Sequence, residues 1–314
     1  MRCLRPVRLN YTDEECKERM NNPNLDTFAK LQTYHLVPCG KCEFCLSQRR
    51  SDWSLRLRHE FDYSVTAYFI TLTYDDSKLP INKFGFPEVN KRDIQLFLKR
   101  FRKAIQPFKI RYYIVSEYGP TTHRPHYHGI IFNFPVELRR RFDTILVNSW
   151  DKGFITSSTV NDARISYVTH YCLFSKENPS NTAKNFMLCS RRPLIGAGFV
   201  DRFRDLDYFN CNTTDLLSVR QDSGLSRKVR IPRIYREKLL RDDIKQQIVA
   251  KYDQLAKRDF TELHNKQAEW LIEHGYNPAL KLCIEGSPMW EYLQAKQSKA
   301  DSIRKLSKKR SKHI

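Results

Sequence analysis

A central β-strand is predicted by the sequence RPHYHGIIF, which occupies residues 124–132. Its apolar and β-branched residues are typical of strands, and successive side chains of a strand point to opposite faces. His126 and His128 therefore share one face, while Tyr127 points to the other. Two imidazoles on one face supply half of a metal site, so this stretch predicts both a strand and a candidate metal-binding surface.

A carboxylate is predicted to join the two histidines. Residues 110–118 and 126–134 have strand signals and flank a loop of Gly, Pro, Thr and His residues, which favours an antiparallel pair. Glu117 then lies roughly opposite His126. Two histidines and one carboxylate leave coordination positions open, as a catalytic metal site requires. We expect Mg or Mn there, although imidazole also accepts Zn, Fe, Ni or Cu. The alternative is that the two histidines are ordinary polar surface on a strand.

The flanking segments predict a mixed α+β domain. Strands are expected at 67–74 and 154–158, and helices after Asn90, at 136–150 and at 161–175. The resulting order of elements is β-α-β-β-α-β-α. This alternation favours a mainly antiparallel sheet with helices packed on one face.

Two tyrosines lie within the last of these predicted helices. Tyr167 and Tyr171 are four residues apart and therefore share one helix face, a spacing that is by itself more typical of core packing. A phenol, with an ordinary pKa of about 10, can attack a metal-held phosphate when a base or a lowered pKa assists it. The product is a 5′-phosphotyrosine with a free 3′-hydroxyl, and a second DNA hydroxyl can reseal that phosphodiester. Paired tyrosines would suit two successive transfers.

The composition is strongly basic. Lys and Arg number 55 against 35 Asp and Glu, which gives a formal net charge of +20. A polyanionic partner is the default interpretation, and its binding is expected to be salt-sensitive through counterion release. A basic amphipathic helix is predicted at 46–62. The candidate DNA-binding residues are Arg49, Arg50, Arg56, Arg58 and Arg124.

A tight cysteine cluster precedes this basic helix. Cys39, Cys42 and Cys45 form C-x-x-C-x-x-C, and Cys3 is the candidate fourth ligand of a tetrahedral structural zinc. An iron–sulfur site is an alternative, but Arg49 stands where that pattern places its fourth cysteine. Free thiols are the other alternative. The stretch 1–10 has no apolar run of signal-peptide length, so we expect reduced thiols or metal ligands in a cytosol.

Four regions are predicted along the chain. They are a Cys-rich segment at 1–62, the core at 63–200, a helical C-terminal region at 201–290 and a basic tail at 291–314. The helical region has apolar residues spaced for one face between 239 and 255, with Gly275 as the expected stop. The tail is expected to be solvated and disordered. No run of the sequence is long enough to span a bilayer.

The motifs together resemble a known family. FITLTY at 69–74, HYH at 126–128 and the tyrosine pair at 167–171 resemble, in order, the motifs of HUH-type rolling-circle replication initiators. The start at 1–3, VPCGKCEFC at 37–45 and SRRPLIGAGF at 190–199 resemble initiators of gokushoviruses, small single-stranded DNA phages of the Microviridae. The resemblance covers about the first two hundred residues.

The resemblance implies a ferredoxin-like or RRM-like HUH endonuclease core with the histidines on a central strand. It implies a metal-dependent nickase that cuts single-stranded origin DNA through a tyrosine and rejoins strands in the host bacterial cytoplasm, beside a host helicase and polymerase and without a membrane. One feature departs from the family. Related motifs often place lysine three residues after each tyrosine, whereas His170 and Phe174 stand there, so Lys176 becomes the candidate phosphate clamp or general acid.

Three alternatives compete with the nickase. A non-catalytic, zinc-containing DNA-binding protein would use the cysteine cluster and basic helices, and would need neither tyrosine. A transposase or relaxase would share the chemistry and differ in substrate. A non-haem iron site could use two histidines and Glu117, but that chemistry has no evident use for the charge of +20 or for the paired tyrosines.

Overall fold

The computed structural model describes residues 3, 6–23, 30–31, 33–119, 121–174, 178–203, 216–220, 226–280 and 282–310. These residues belong to two compact units. The first comprises the described residues of 1–48 and 252–308, and the second those of 49–251 and 309–314. The four regions expected from the sequence stay a prediction. Among the described helices, none combines the length and the apolar character needed to cross a membrane.

The described residues form nine strands and nine α-helices, numbered here in chain order. The strands are β1 Val7–Asn10, β2 Tyr34–Val37, β3 Ala67–Tyr74, β4 Arg111–Tyr118, β5 Pro125–Phe132, β6 Gly153–Thr159, β7 Met187–Cys189, β8 Leu216–Arg220 and β9 Ser226–Arg230. The helices are α1 Asp13–Asn21, α2 Glu43–Asp62, α3 Lys91–Ala104, α4 Phe142–Ser149, α5 Asp162–Phe174, α6 Ala197–Phe203, α7 Arg233–Leu239, α8 Asp242–Glu273 and α9 Pro288–Arg310.

A five-stranded antiparallel sheet forms the centre of the second unit. Its strand order is β6-β3-β5-β4-β7, so the histidine strand β5 lies in the middle. The predicted order β-α-β-β-α-β-α is confirmed from β3 to α5. The short edge strand β7 was not predicted, because three residues give no period that can be read from sequence.

Helices pack on both faces of this sheet, so the prediction of helices on one face is wrong. On one face, Tyr127 and Ile131 of β5 pack with α3 and α4. On the other face, Ile130 packs with Leu57 of α2 and Val168 of α5. The physical reason lies in β5 itself. Ile130 and Ile131 are adjacent and point to opposite faces, and both are fully buried, so each face needs its own cover.

The C-terminal helical prediction is confirmed in part. Gly275, at φ +76°, follows the end of α8 and gives the expected stop, since a left-handed residue satisfies the last carbonyls of a helix. The apolar run is divided between α7 and α8. Its first part is buried in a third cluster with Tyr235, whereas Tyr252 and Leu255 are exposed.

The basic tail is helical as far as Arg310, so the expectation of disorder is wrong for 291–310. In the first unit, α9 begins after Ser287, whose carbonyl accepts from the backbone N–H of Glu291 at 2.9 Å. Ala300 is fully buried, and Arg304 donates to Glu43 of α2 at 2.7 Å. These contacts stabilise a helix that its run of like charges disfavours. Residues 311–314 lie outside the described residues.

Candidate metal and nucleophile site

The two histidines lie between β3 and β4. His126 pairs with Thr73 of β3 and with Glu117 of β4, so the predicted register of Glu117 is confirmed. His128 pairs with Thr71 and with Val115. The central position of β5 explains the arrangement, because a strand with neighbours on both sides fixes its side chains from both directions.

Two threonine hydroxyls orient the imidazoles. Thr71 Oγ1 lies 3.0 Å from His128 Nδ1, and Thr73 Oγ1 lies 3.0 Å from His126 Nδ1. When Nδ1–H donates to the threonine, Nε2 keeps its lone pair for a metal, which is how outer hydrogen bonds usually orient metal-binding histidines. The sequence analysis missed both threonines. Their signal was present in FITLTY, where alternate positions carry a hydroxyl that faces the neighbouring strand.

Glu117 completes a donor set that suits a divalent metal. Its Oε2 lies 2.9 Å from His128 Nε2, and the rings of His126 and His128 are 6.4 Å apart between centroids. Burial lowers the pKa of His126, and the charges of His128 and Arg124 lower it further. The neutral imidazole that a metal needs is therefore favoured. Two nitrogens and a carboxylate with room for further ligands are the chemistry of a catalytic site.

Tyr167 reaches the same site from α5. Its hydroxyl lies 3.3 Å from His128 Nε2, and its ring packs edge-on against His128 with centroids 5.0 Å apart. Of the three catalytic candidates, Tyr167 has a described side chain, whereas the side chain of Tyr171 and the whole of Lys176 lie outside the described residues. His170, which stands where related motifs have lysine, is buried.

Loss of a threonine hydroxyl is expected to weaken metal binding. Thr71→Val and Thr73→Val keep the side-chain shape and remove the hydrogen-bond acceptor of Nδ1. We expect each to lower the affinity for Mn²⁺ by about 10–100-fold, as for other outer-sphere partners of metal histidines. Calorimetric titration of the full chain measures this. Thr159→Val, on exposed β6, is the matched control. Unchanged affinity in both inner variants would contradict the role given to the hydroxyls.

The five candidate arginines differ in their contacts. Arg50 Nη2 donates to Ser166 Oγ on α5 at 3.0 Å, one residue before Tyr167. Arg124 donates to the carbonyl of Tyr74 at 2.6 Å and pairs with Asp76. Arg49 is exposed. The structure therefore brings Arg50 to the tyrosine helix and Arg124 to the end of the sheet that carries His126.

The two remaining arginines serve the packing of the second unit. Arg56 stacks on Trp53 at 4.0 Å from the ring centroid and donates to the carbonyl of Ile195 at 3.1 Å, and burial lowers its pKa. Arg58 forms ion pairs with Asp62 and Asp162. Their guanidinium groups are thus engaged within the protein. Their role in DNA binding stays a prediction.

The four predicted cysteines gather into a cluster in the first unit. The Sγ of Cys42 lies 3.7 Å from that of Cys3 and 3.5 Å from that of Cys45, while Cys39 and Cys45 are 4.0 Å apart. A tetrahedral zinc with Zn–S bonds of about 2.3 Å needs sulfur–sulfur edges of about 3.8 Å. The cluster could therefore bind a metal such as zinc. Among the described residues, these four are the group whose ligand atoms all lie within 4.8 Å of one another.

Backbone groups favour thiolates in this cluster. The N–H of Lys41 and of Cys42 donate to Cys39 Sγ at 3.4 and 3.3 Å, and the N–H of Cys39 donates to Cys3 Sγ at 3.3 Å. The bond from Lys41 is the main cause that lowers the pKa of Cys39 to about 6. Gly40, at φ +71°, makes the tight turn that aims these groups at sulfur. The described cysteines form no disulfide, as expected.

The comparisons place the chain among replication proteins of phages. Residues 67–178, from β3 to just beyond α5, match the model of a family described as Replication-associated protein ORF2. The chain is 29% identical over 192 residues to Replication-associated protein ORF2 of Spiroplasma virus 4, which covers 54% of this chain and 60% of the relative. It is 28% identical over 192 residues to Replication-associated protein VP4 of Bdellovibrio phage phiMH2K, with 54% and 57% covered.

A third relative is Replication-associated protein ORF4 of Chlamydia phage 1, 27% identical over 172 residues, with 47% of this chain and 42% of the relative covered. No solved structure matches the chain. The resemblance inferred from the motifs is confirmed, since the chain is a relative of the replication-associated proteins of Microviridae phages. The chain spans about three fifths or less of the length of these relatives.

Proposed function

We propose that this protein is a metal-dependent HUH endonuclease and strand transferase that starts rolling-circle replication of a small single-stranded DNA phage. The observation that carries this is the 3.3 Å approach of the Tyr167 hydroxyl to Nε2 of His128. A core-packing tyrosine has no need to place its hydroxyl against a potential metal ligand. The similarity to phage replication-associated proteins supports the same function.

The residues have separate roles in this chemistry. His126, His128 and Glu117 would hold Mg or Mn, which supplies Lewis-acid polarisation of the scissile phosphate. Tyr167 attacks the phosphorus, so a new bond forms between its oxygen and the 5′-phosphate. The bond to the 3′-oxygen breaks, and that oxygen leaves with a proton as a free hydroxyl. Attack by a second 3′-hydroxyl reverses the step and rejoins the strand.

Further assignments belong to the same proposal. Tyr171 is the second nucleophile and Lys176 the phosphate clamp. Arg49, Arg50 and Arg124 contact DNA, and zinc occupies the cysteine cluster. The substrate is single-stranded origin DNA in the host bacterial cytoplasm, with a host helicase and polymerase as partners. The described part of the chain offers no membrane-crossing helix that this role would have to explain.

A non-catalytic, zinc-containing DNA-binding protein is the second candidate. The closely gathered cysteine cluster favours it, since the ligand atoms of the histidine site lie further apart than those of the cysteines. A related transposase or relaxase would share the proposed chemistry and act on another DNA.

The test is formation of a covalent protein–DNA adduct. The purified full chain is incubated with labelled single-stranded DNA from its own origin, with Mn²⁺ or with chelator, and run on a denaturing gel. An adduct is expected only with metal, and it should be lost when His126→Ala and His128→Ala are combined. His274→Ala, an exposed histidine of the first unit, should keep it. Tight DNA binding without an adduct for any divalent metal would reject the nickase and favour the binding protein.

A further inference from the structure

A short hairpin between β3 and α3 displays aromatic rings to solvent. Ile81 and Pro87 form its bridge, and within it Phe84 and Phe86 are 55% and 45% exposed. Large apolar side chains so close together on a surface carry a cost in water unless a partner covers them. Neither the sequence motifs nor the proposed active site uses these residues.

The hairpin is rigid because one side chain organises it. Asn82 Oδ1 accepts from the backbone N–H of Phe84 at 2.9 Å and of Phe86 at 3.2 Å. The N–H of Asn82 donates to the carbonyl of Phe86 at 2.9 Å, and its Nδ2 donates to the carbonyl of Asn181 at 2.8 Å. Gly85 supplies the left-handed turn at φ +82°. The two rings are thus held out before any partner binds.

The surroundings of the rings are positively charged. From 81 to 92 the chain has three cations, Lys83, Lys91 and Arg92, all exposed, and one acid, Glu88. Glu88 accepts from the backbone N–H of Ala183 at 2.7 Å, so its carboxylate is engaged within the protein. A depression of about 350 Å³ at the base of the hairpin is lined in part by Lys91 and Arg92.

The hairpin leaves the sheet at the end that carries the histidine site. β3 ends at Tyr74, next to the start of β5 with His126 and the end of β4 with Glu117. The segment from the hairpin to α3 is tied to the same sheet, because the N–H of Asn90 donates to the Tyr127 hydroxyl at 2.7 Å. A strand held at the histidines can therefore continue towards the hairpin.

We propose that residues 81–87 form a stacking platform for single-stranded DNA. Phe84 and Phe86 stack on unpaired bases, and Lys83, Lys91 and Arg92 pair with the adjoining phosphates, a combination that is typical of single-strand binding surfaces. A duplex would keep its bases paired and out of reach of the rings. The identity of the ligand rests on the proposed function, but the binding itself needs neither metal nor tyrosine.

The test measures binding without cleavage. The full chain is titrated, in chelator and at fixed salt, into a fluorescently labelled oligothymidylate of about 16 nucleotides, the upper range of common single-strand site sizes. Phe84→Ala and Phe86→Ala are each expected to raise the Kd about tenfold, as loss of one stacked base does. Phe108→Ala is the matched control, since Phe108 is 41% exposed in the turn before β4, at the opposite end of the sheet. It should leave the Kd unchanged.

Two further measurements separate stacking from charge. The Phe variants should keep the salt dependence of the wild type, whereas Lys83→Gln combined with Lys91→Gln should reduce its slope by about 0.7 per charge. On an abasic oligonucleotide of the same length, the wild type and the Phe variants should bind equally. Equal Kd values on oligothymidylate, or an equal loss on the abasic probe, would overturn the platform. Neither result bears on the adduct assay, whose failure would reject the nickase alone.

Discussion

Tyr167→Phe is expected to reduce the metal-dependent protein–DNA adduct to background while leaving affinity for single-stranded DNA within about twofold, because the substitution removes only the attacking oxygen. The phenyl ring can keep the edge-on packing against His128 and Phe69 that holds α5 beside the sheet. Covalent chemistry and binding should therefore separate in this variant. The measurement pairs a denaturing gel for the adduct with an anisotropy titration in chelator.

Two other tyrosine variants sharpen that result. Tyr112→Phe is the matched control, because Tyr112 is also partly buried but lies on β4 and belongs to the cluster on the other face of the sheet. It should form the adduct normally. Tyr171→Phe should keep the first cut and lose the second transfer if the two tyrosines act in turn. An adduct that survives in Tyr167→Phe and disappears in Tyr171→Phe would contradict the assignment of Tyr167 as first nucleophile.

The core of the site could be predicted because its signals are local. The strand that carries His126 and His128 shows its alternation within nine residues, and a short loop to the preceding strand sets the register of Glu117. The threonines at 71 and 73 obey the same alternation. They escaped notice because their partners lie on another strand, 53 and 57 residues away.

The parts that were wrong depend on contacts between distant segments. α2 and α5 cover the second face of the sheet, and sequence periodicity tells which stripe of a helix is apolar but not which surface buries it. The tail helix depends on Arg304 and Glu43, which are 261 residues apart. A readable signal was overlooked at α1, where Thr12 and Glu15 form a capping box of the usual spacing.

Cys42→Ser is expected to remove zinc from the protein and to loosen the first unit. Cys42 is buried and contacts both Cys3 and Cys45, and Glu43 beside it binds Arg304 of α9. Zinc bound by such ligands contributes about 10–16 kcal/mol in zinc-finger peptides, more than a small unit can lose and stay folded. One zinc site therefore supports both the N-terminal segment and the tail helix.

The readouts are metal content and amide exchange. The wild type, purified under reducing conditions, should carry about one zinc per chain, as a single tetrahedral site implies, and little iron, whereas Cys42→Ser should carry almost none. Hydrogen exchange along α9 should accelerate strongly in the variant, because release of the Glu43 region removes the partner of Arg304. Cys283→Ser, an exposed cysteine outside the cluster, should change neither quantity. A wild type with no zinc and a protected α9 would leave the four cysteines as packed thiols, and iron in place of zinc would revive the iron–sulfur alternative.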